Sequence, residues 1–144
     1  MIRYGHTQRG TVLLVTFLVA VLFLLALDRL VPAVRGVLLT LIGILGMCGF
    51  LFSSLTIQIT DHALRWQFGL GFIRKEVPLA EIERAEGTET TFLQGWGIHY
   101  TSRGWLYNVS GFQAIVVRLK SGKSFLLGTD EPDQLRAALV QALS

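Results

Sequence analysis

Hydrophobic and polar positions follow two different rules along this chain, and the rules change near residue 55. Ahead of it, residues 11–27 and 37–55 are uncharged apolar runs of 17 and 19 residues. At about 1.5 Å of rise per residue they make helices of roughly 26 and 28 Å, close to the ~30 Å hydrocarbon core of a bilayer. Lipid offers no partner to backbone N–H and C=O groups, so such runs are expected to be helical. Residues 28–35 form a short turn between them, with Pro32 suited to the start of the second helix. The pattern predicts a two-helix transmembrane hairpin over residues 1–55, with helices at about 11–29 and 34–55.

After residue 55 the period becomes two, as in half-buried strands. Residues 55–60 alternate; Asp61-His62 turns the chain; Leu64, Trp66 and Phe68 then alternate with Arg65 and Gln67. Gly69-Leu70-Gly71 is a second turn, and residues 72–77 make a strand that Pro78 ends. A single helical turn at residues 79–82 leads into a strand over about 83–91. The glycine-rich loop Gly95-Trp96-Gly97 precedes Ile98-His99-Tyr100, which a turn at 101–104 pairs with residues 105–109. Residues 112–120 and 124–128 flank a Ser121-Gly122-Lys123 hairpin turn. Asp130 is expected to cap a final helix, with Pro132 and the acids of its first turn well placed for the helix dipole. Leu135, Leu139 and Leu143, with Ala138 and Ala142, form its apolar stripe. The domain expected over residues 56–144 therefore has about seven strands in a closed or nearly closed sheet, plugged at one end by the C-terminal helix.

Composition is too apolar for an ordinary soluble protein. Charged residues are 16% of the total, against about 25% in soluble domains, and hydrophobic residues are 51%. Charge is uneven. Residues 1–55 carry four arginines against one aspartate, a net of +3, while residues 56–144 carry nine basic and nine acidic groups. A nucleic-acid protein would cluster its cations on the folded domain, so no nucleic acid is expected as a partner. Cys48, the only cysteine, lies within the second apolar run and reads as a small hydrophobe. The first run is long for a signal-peptide core, and Asp28-Arg29 follows it where a small-residue cleavage site would stand. A retained anchor is the reading. Two spans place both ends on one side. Arg3, Arg9, Arg65, Arg74 and Lys75 flank the hairpin on that side, against Arg29 and Arg35 in the turn, a bias that favours a cell-membrane protein with both termini and its domain in the cytoplasm.

Residues 55–143 resemble the bacterial PH-like domain family of small membrane proteins. The matching stretches are residues 55–68, Phe72-Ile73-Arg74-Lys75-Glu76-Val77-Pro78-Leu79-Ala80-Glu81-Ile82, Gly95-Trp96-Gly97-Ile98, residues 105–111, and Gly128-Thr129-Asp130-Glu131-Pro132. Two transmembrane helices ahead of the domain also suit that family. The resemblance implies a pleckstrin-homology-like barrel or sandwich and a membrane-tethered interaction module. The first hairpin loop, Thr60-Asp61-His62-Ala63, is short and lacks the cluster of Lys and Arg with which eukaryotic PH domains often hold inositol lipids.

Two features carry a contact hypothesis. Gly43, Gly46 and Gly49 recur every third residue along the second helix, where small residues let helix backbones approach. They serve either the packing of the hairpin on itself or a self-association face. Residues 96–112 are dense in aromatics with polar tips, and Trp96, His99, Arg103, Trp105 and Tyr107 are the expected contact surface, against the alternative of ordinary core and strand filling. Glu81, Glu83, Glu86 and Glu89 read as a solvated acidic face, and Asn108-Val109-Ser110 as a chance glycosylation triplet. The two histidines of the folded half, His62 and His99, lack metal-ligand spacing. With no nucleophile elbow, phosphate loop or dinucleotide fingerprint, the expectation is a non-enzymatic scaffold or regulator of a membrane complex, without cofactor or metal, self-associating, its protein partner unnamed. The alternatives are a lipid- or peptide-binding sensor at the membrane surface, or an accessory subunit of a transporter or envelope-stress system.

Overall fold

A computed structural model describes residues 1–144. Its elements run β1 (Ile2–Arg9), α1 (Thr11–Leu30), α2 (Arg35–Leu51), β2 (Ser54–Thr60), β3 (Ala63–Phe68), β4 (Ile73–Pro78), β5 (Ile82–Glu89), β6 (Gly97–Thr101), β7 (Gly104–Asn108), β8 (Gln113–Leu119), β9 (Ser124–Gly128) and α3 (Pro132–Leu143). One-turn 3-10 segments lie at Pro32–Val34, Leu79–Glu81 and Phe92–Gln94.

The nine strands form two sheets, four strands in the order β1-β2-β3-β4 and five in the order β5-β8-β9-β7-β6. Against the closed or nearly closed barrel or sandwich of about seven strands expected from the alternation, the structure has two separate ladders and nine strands. All pairs are antiparallel except β7 with β9, which run parallel.

The strand that the apolar pattern does not announce is β1. It pairs with β2 over its length, from Ile2 opposite Thr60 to Arg9 opposite Ser54. Its inward residues are Tyr4, His6 and Gln8, none of them aliphatic, so the usual hydrophobic alternation is weak. This corrects the division at residue 55. The helical hairpin is an insertion between two adjacent strands of one sheet, and the sheet domain takes residues from both sides of it.

At the neck the two chain crossings are joined directly. The Gly10 N–H donates to the Ser53 carbonyl at 2.8 Å. A Cβ at Gly10 would lie 2.5 Å from the Phe52 carbonyl oxygen, which explains the glycine. The second helix ends at Leu51 rather than residue 55, because Ser54 and Leu55 are already in the ladder with β1 and β3. Leu13 and Phe52 continue the domain core into the neck, Phe52 meeting Phe68 edge-on at 5.1 Å between ring centroids.

The core lies between the sheets and under α3. It is built from Leu55, Ile57 and Ile59 of β2, Leu64, Trp66 and Phe68 of β3, Ile115 and Val117 of β8, Phe125 and Leu127 of β9, and Leu135 and Leu139 of α3. Trp66 stacks on Phe125 at 4.9 Å and meets Tyr107 edge-on at 5.2 Å. The α3 stripe packs as its spacing predicts, with Ala138, Ala142 and Leu143 at the core margin. Its N-cap is Glu131, not Asp130, and no side chain closes the cap. Asp130 instead lies within hydrogen-bond distance of His6 on β1, described below.

The two hairpin helices are long and apolar enough to cross a membrane, with mean hydropathies of 2.7 for Thr11–Leu30 and 2.0 for Pro32–Leu51. No residue of α1 is buried within the protein, and in α2 only Leu38 and Gly49 are. Asp28 and Arg35 close the turn between them, 2.9 Å apart.

Candidate interaction surfaces

The five aromatic-segment residues expected to form one surface divide into three environments. Tyr107 is in the core, packed against Trp66, so its assignment to the surface is corrected. Arg103 is half-buried and fully engaged. Its guanidinium donates to the Thr88 hydroxyl at 2.5 Å and to the Glu89 carbonyl at 3.2 Å, tying the β6–β7 turn to the end of β5. Trp96 is also half-buried, its indole N–H donating to the Gly111 carbonyl at 3.0 Å. Its ring contacts Phe92 and Phe112, each with centroids 5.7 Å away. His99 is exposed, and its Nε2 meets the Trp96 carbonyl oxygen, pinning the glycine-rich loop. Only Trp105 is both exposed and uncommitted by hydrogen bonds, and it pairs edge-on with Tyr100 of the edge strand β6 at 5.4 Å. The segment therefore makes two patches: Trp105 with Tyr100 on the β6–β7 pair of the second sheet, and Phe92–Trp96–Phe112 in a loop cluster.

The glycine row also divides. A Cβ at Gly49 would lie 3.3 Å from the Phe17 ring, so this position lets α2 approach α1. Gly43 and Gly46 face open space, with nothing within 4 Å of an added Cβ. The hairpin's own packing uses only one of the three. Beside Gly46, residues Leu14, Phe17, Leu18, Val21 and Leu45 line an apolar groove of about 370 Å³ between the helices.

Three features were not legible in advance. The first is a polar junction between β1 and the start of α3. His6 Nε2 lies 2.6 Å from Asp130 Oδ1, and His6 Nδ1 lies 3.4 Å from Glu131 Oε2. The Tyr4 hydroxyl donates to Glu131 at 3.4 Å. Burial, helped by the neighbouring Glu131 charge, pushes the Tyr4 phenol up to about 12. Gln8, next along the row, donates to the Ser110 carbonyl at 2.9 Å. The signal available was the spacing of Tyr4, His6 and Gln8 at every second residue, which marks one face of a strand whose inward side is polar.

The second is at the opposite end of β1. Arg3 and the N-terminal ammonium group both bond Asp61 in the β2–β3 turn, at 2.7 and 2.5 Å. These bonds hold its carboxyl down at about 2. Arg3 thus lies at the end of the sheet far from the neck, and it flanks the hairpin in sequence but not in space.

The third is a polar concavity of about 530 Å³ on the outer face of the first sheet. Thr56, Gln58, Arg65, Gln67, Arg74 and Glu76 are among its lining residues. Arg65 is held by Glu76 at 2.8 Å, while Arg74 has no ion-pair partner. Elsewhere, Glu81, Glu83, Glu86 and Glu89 are exposed, as a solvated face requires. Asn108 is buried and bonded within its own loop, so its triplet is a turn element rather than an accessible acceptor.

In comparisons with known proteins, no family model, curated protein or solved structure matches the chain.

Proposed function

We propose that the protein is a non-enzymatic membrane module: a PH-like domain anchored by a two-helix hairpin in the cell membrane, facing the cytoplasm, and scaffolding or regulating a membrane complex as a self-associating unit. The observation that supports this most is the insertion of the hairpin between β1 and β2. A domain whose ladder closes directly across the neck has no tether, so its position on the bilayer is set by its anchor. A part held this way suits the presentation of a fixed surface to neighbours in the same membrane. Two sheets with a C-terminal helix packed on them are compatible with a PH-like architecture, and the resemblance of residues 55–143 supports it. The nine strands and the parallel β7–β9 pair go beyond the simple PH outline.

Self-association is supported by Gly43 and Gly46, which are small, lie on α2, and serve no contact within the hairpin. Native mass spectrometry of the detergent-extracted protein tests the reading. Expected are dimers or higher species that Gly46→Leu converts to monomers, with no loss of folding because the added side chain enters open space. A monomeric wild type carrying a small bound ligand would overturn the scaffold reading. It would favour a lipid- or peptide-binding sensor, for which the concavity around Arg65, Gln67 and Arg74 is the candidate site.

A further inference from the structure

We propose that the neck end of the sheet domain is itself a membrane-docking rim, in which the β3–β4 turn and the Phe92–Phe112 loop cluster insert apolar side chains into the headgroup region of the bilayer that α1 and α2 cross. This rests on the hairpin being a membrane anchor.

Placement of the β3–β4 turn comes from its contacts with the end of α2. The Gly69 N–H donates to the Ser54 carbonyl at 2.9 Å. Gly69 has φ +49°, and a Cβ there would lie 2.8 Å from the Leu51 carbonyl oxygen, the last residue of the helix. The turn is therefore pressed against the point where the second apolar helix ends. The residues it presents are Leu70 and Phe72, 74% and 72% exposed. Large apolar side chains held open to water at a tight turn gain nothing for the fold. Two residues on, Arg74 is exposed and has no ion-pair partner, which suits a lipid phosphate beside a buried aromatic.

The loop cluster reaches the neck from the other sheet. Gln8, three residues before α1 begins at Thr11, bonds the Ser110 carbonyl. Gly111 then accepts from the Trp96 indole, and Trp96 carries Phe92 and Phe112 against its ring. Leu93 at the tip is 96% exposed, Phe92 71%. A half-buried tryptophan with its N–H satisfied and its ring among exposed apolar groups is the arrangement found in membrane-interface belts. Both patches flank the helix exits, whereas the far end sets the charged groups Asp61, Arg3 and the N-terminal ammonium beside the exposed Met1 and Ile2. The same hydrophobic continuity that runs along the helices thus extends onto the domain, and the bilayer is the occupant that reaches both patches at once.

Single cysteines placed at Leu70, Phe72 and Leu93 in a Cys48→Ser background, labelled with an environment-sensitive fluorophore and reconstituted in phosphatidylcholine–phosphatidylglycerol vesicles, test this. Matched controls are Lys123 in the β8–β9 turn and Leu22 on α1. All are exposed or lipid-facing, so labelling leaves the fold intact, which circular dichroism checks. Expected is quenching by lipid-borne quenchers at 70, 72 and 93 at least about twofold above that at 123. Quenching at 22 with none above the 123 level at the rim sites overturns the rim and leaves the anchor standing. Water exposure at 22 as well overturns the anchor and the rim together.

Discussion

In α1 no residue is buried within the protein, although its mean hydropathy is 2.7; in β8, which is less apolar because it holds Gln113 and Arg118, Ala114, Ile115 and Val117 are all fully buried. The two regions hold the same residue types and place them oppositely. In the sheet domain aliphatic groups leave water by packing on each other, and interior density makes each of them sensitive to volume. In the hairpin they face outward, on two helices long and apolar enough to cross a membrane. What separates the regions is the period of the apolar positions: unbroken runs need an apolar surrounding, while alternation needs only one apolar face. Gly10, Phe52 and Ser53 lie where the two arrangements meet.

That contrast can be broken most sharply at the core. Trp66→Ala should destabilise the detergent-solubilised protein by about 3–5 kcal/mol in denaturant unfolding, since it removes the ring between Phe125 and Tyr107. Leu22→Ala, on the outward face of α1, should change the same transition by less than about 0.5 kcal/mol. Equal effects would mean that α1 has a protein partner rather than lipid around it. Within the hairpin, Gly49→Leu should cost about 1–3 kcal/mol by forcing its side chain against Phe17, and should widen the α1–α2 separation measured between spin labels. Gly43→Leu should leave that separation unchanged.

Smaller effects test β1 as a working part of the domain. The Tyr4 phenol is raised from 10.0 to about 12 on folding, chiefly by burial. A raised group contributes stability that is present below its unfolded value and lost as pH climbs through its folded one. Thermal stability of the wild type should therefore fall between about pH 10 and 12 more steeply than that of Tyr4→Phe. At the far end, Asp61 is lowered from 3.8 to about 2 by its bonds to the N-terminus and Arg3. A depressed carboxylate contributes stability that is present above pH 3.8 and lost as pH falls toward 2. Asp61→Asn should lower the melting temperature slightly at pH 7, with the difference from wild type vanishing near pH 2; these groups are solvent-exposed, so the change should be the smallest of the set.

The hairpin, the terminal helix and the strand segments after residue 54 could be read from the amino-acid pattern, although that pattern sums to about seven strands where the structure has eight. The α3 stripe of Leu135 and Leu139 and the β8 run around Ile115 and Val117 are decided by local spacing alone. The contact surface was less legible. Trp96, His99, Arg103 and Trp105 are all polar-tipped, but composition cannot distinguish a guanidinium spent on Thr88 and Glu89 from a free one. Nor does it separate buried Tyr107 from exposed Trp105, which share a face of β7 and differ in what packs over them.

By itself, then, the sequence determined which segments leave water and in what form, since hydrophobic period acts over a few residues. Tertiary structure decided that Ile2–Arg9 is a strand, that the hairpin is inserted into a sheet rather than placed ahead of it, and that exposed apolar turns gather at the neck. The first two depend on partners more than 40 residues away, Arg9 on Ser54 and Tyr4 on Glu131 among them, and the third on the contacts of Gly69 with Ser54 and of Gln8 with Ser110. A polar strand has no apolar face to declare itself; only the ladder it completes and the carboxylates it meets give it a reason to be ordered.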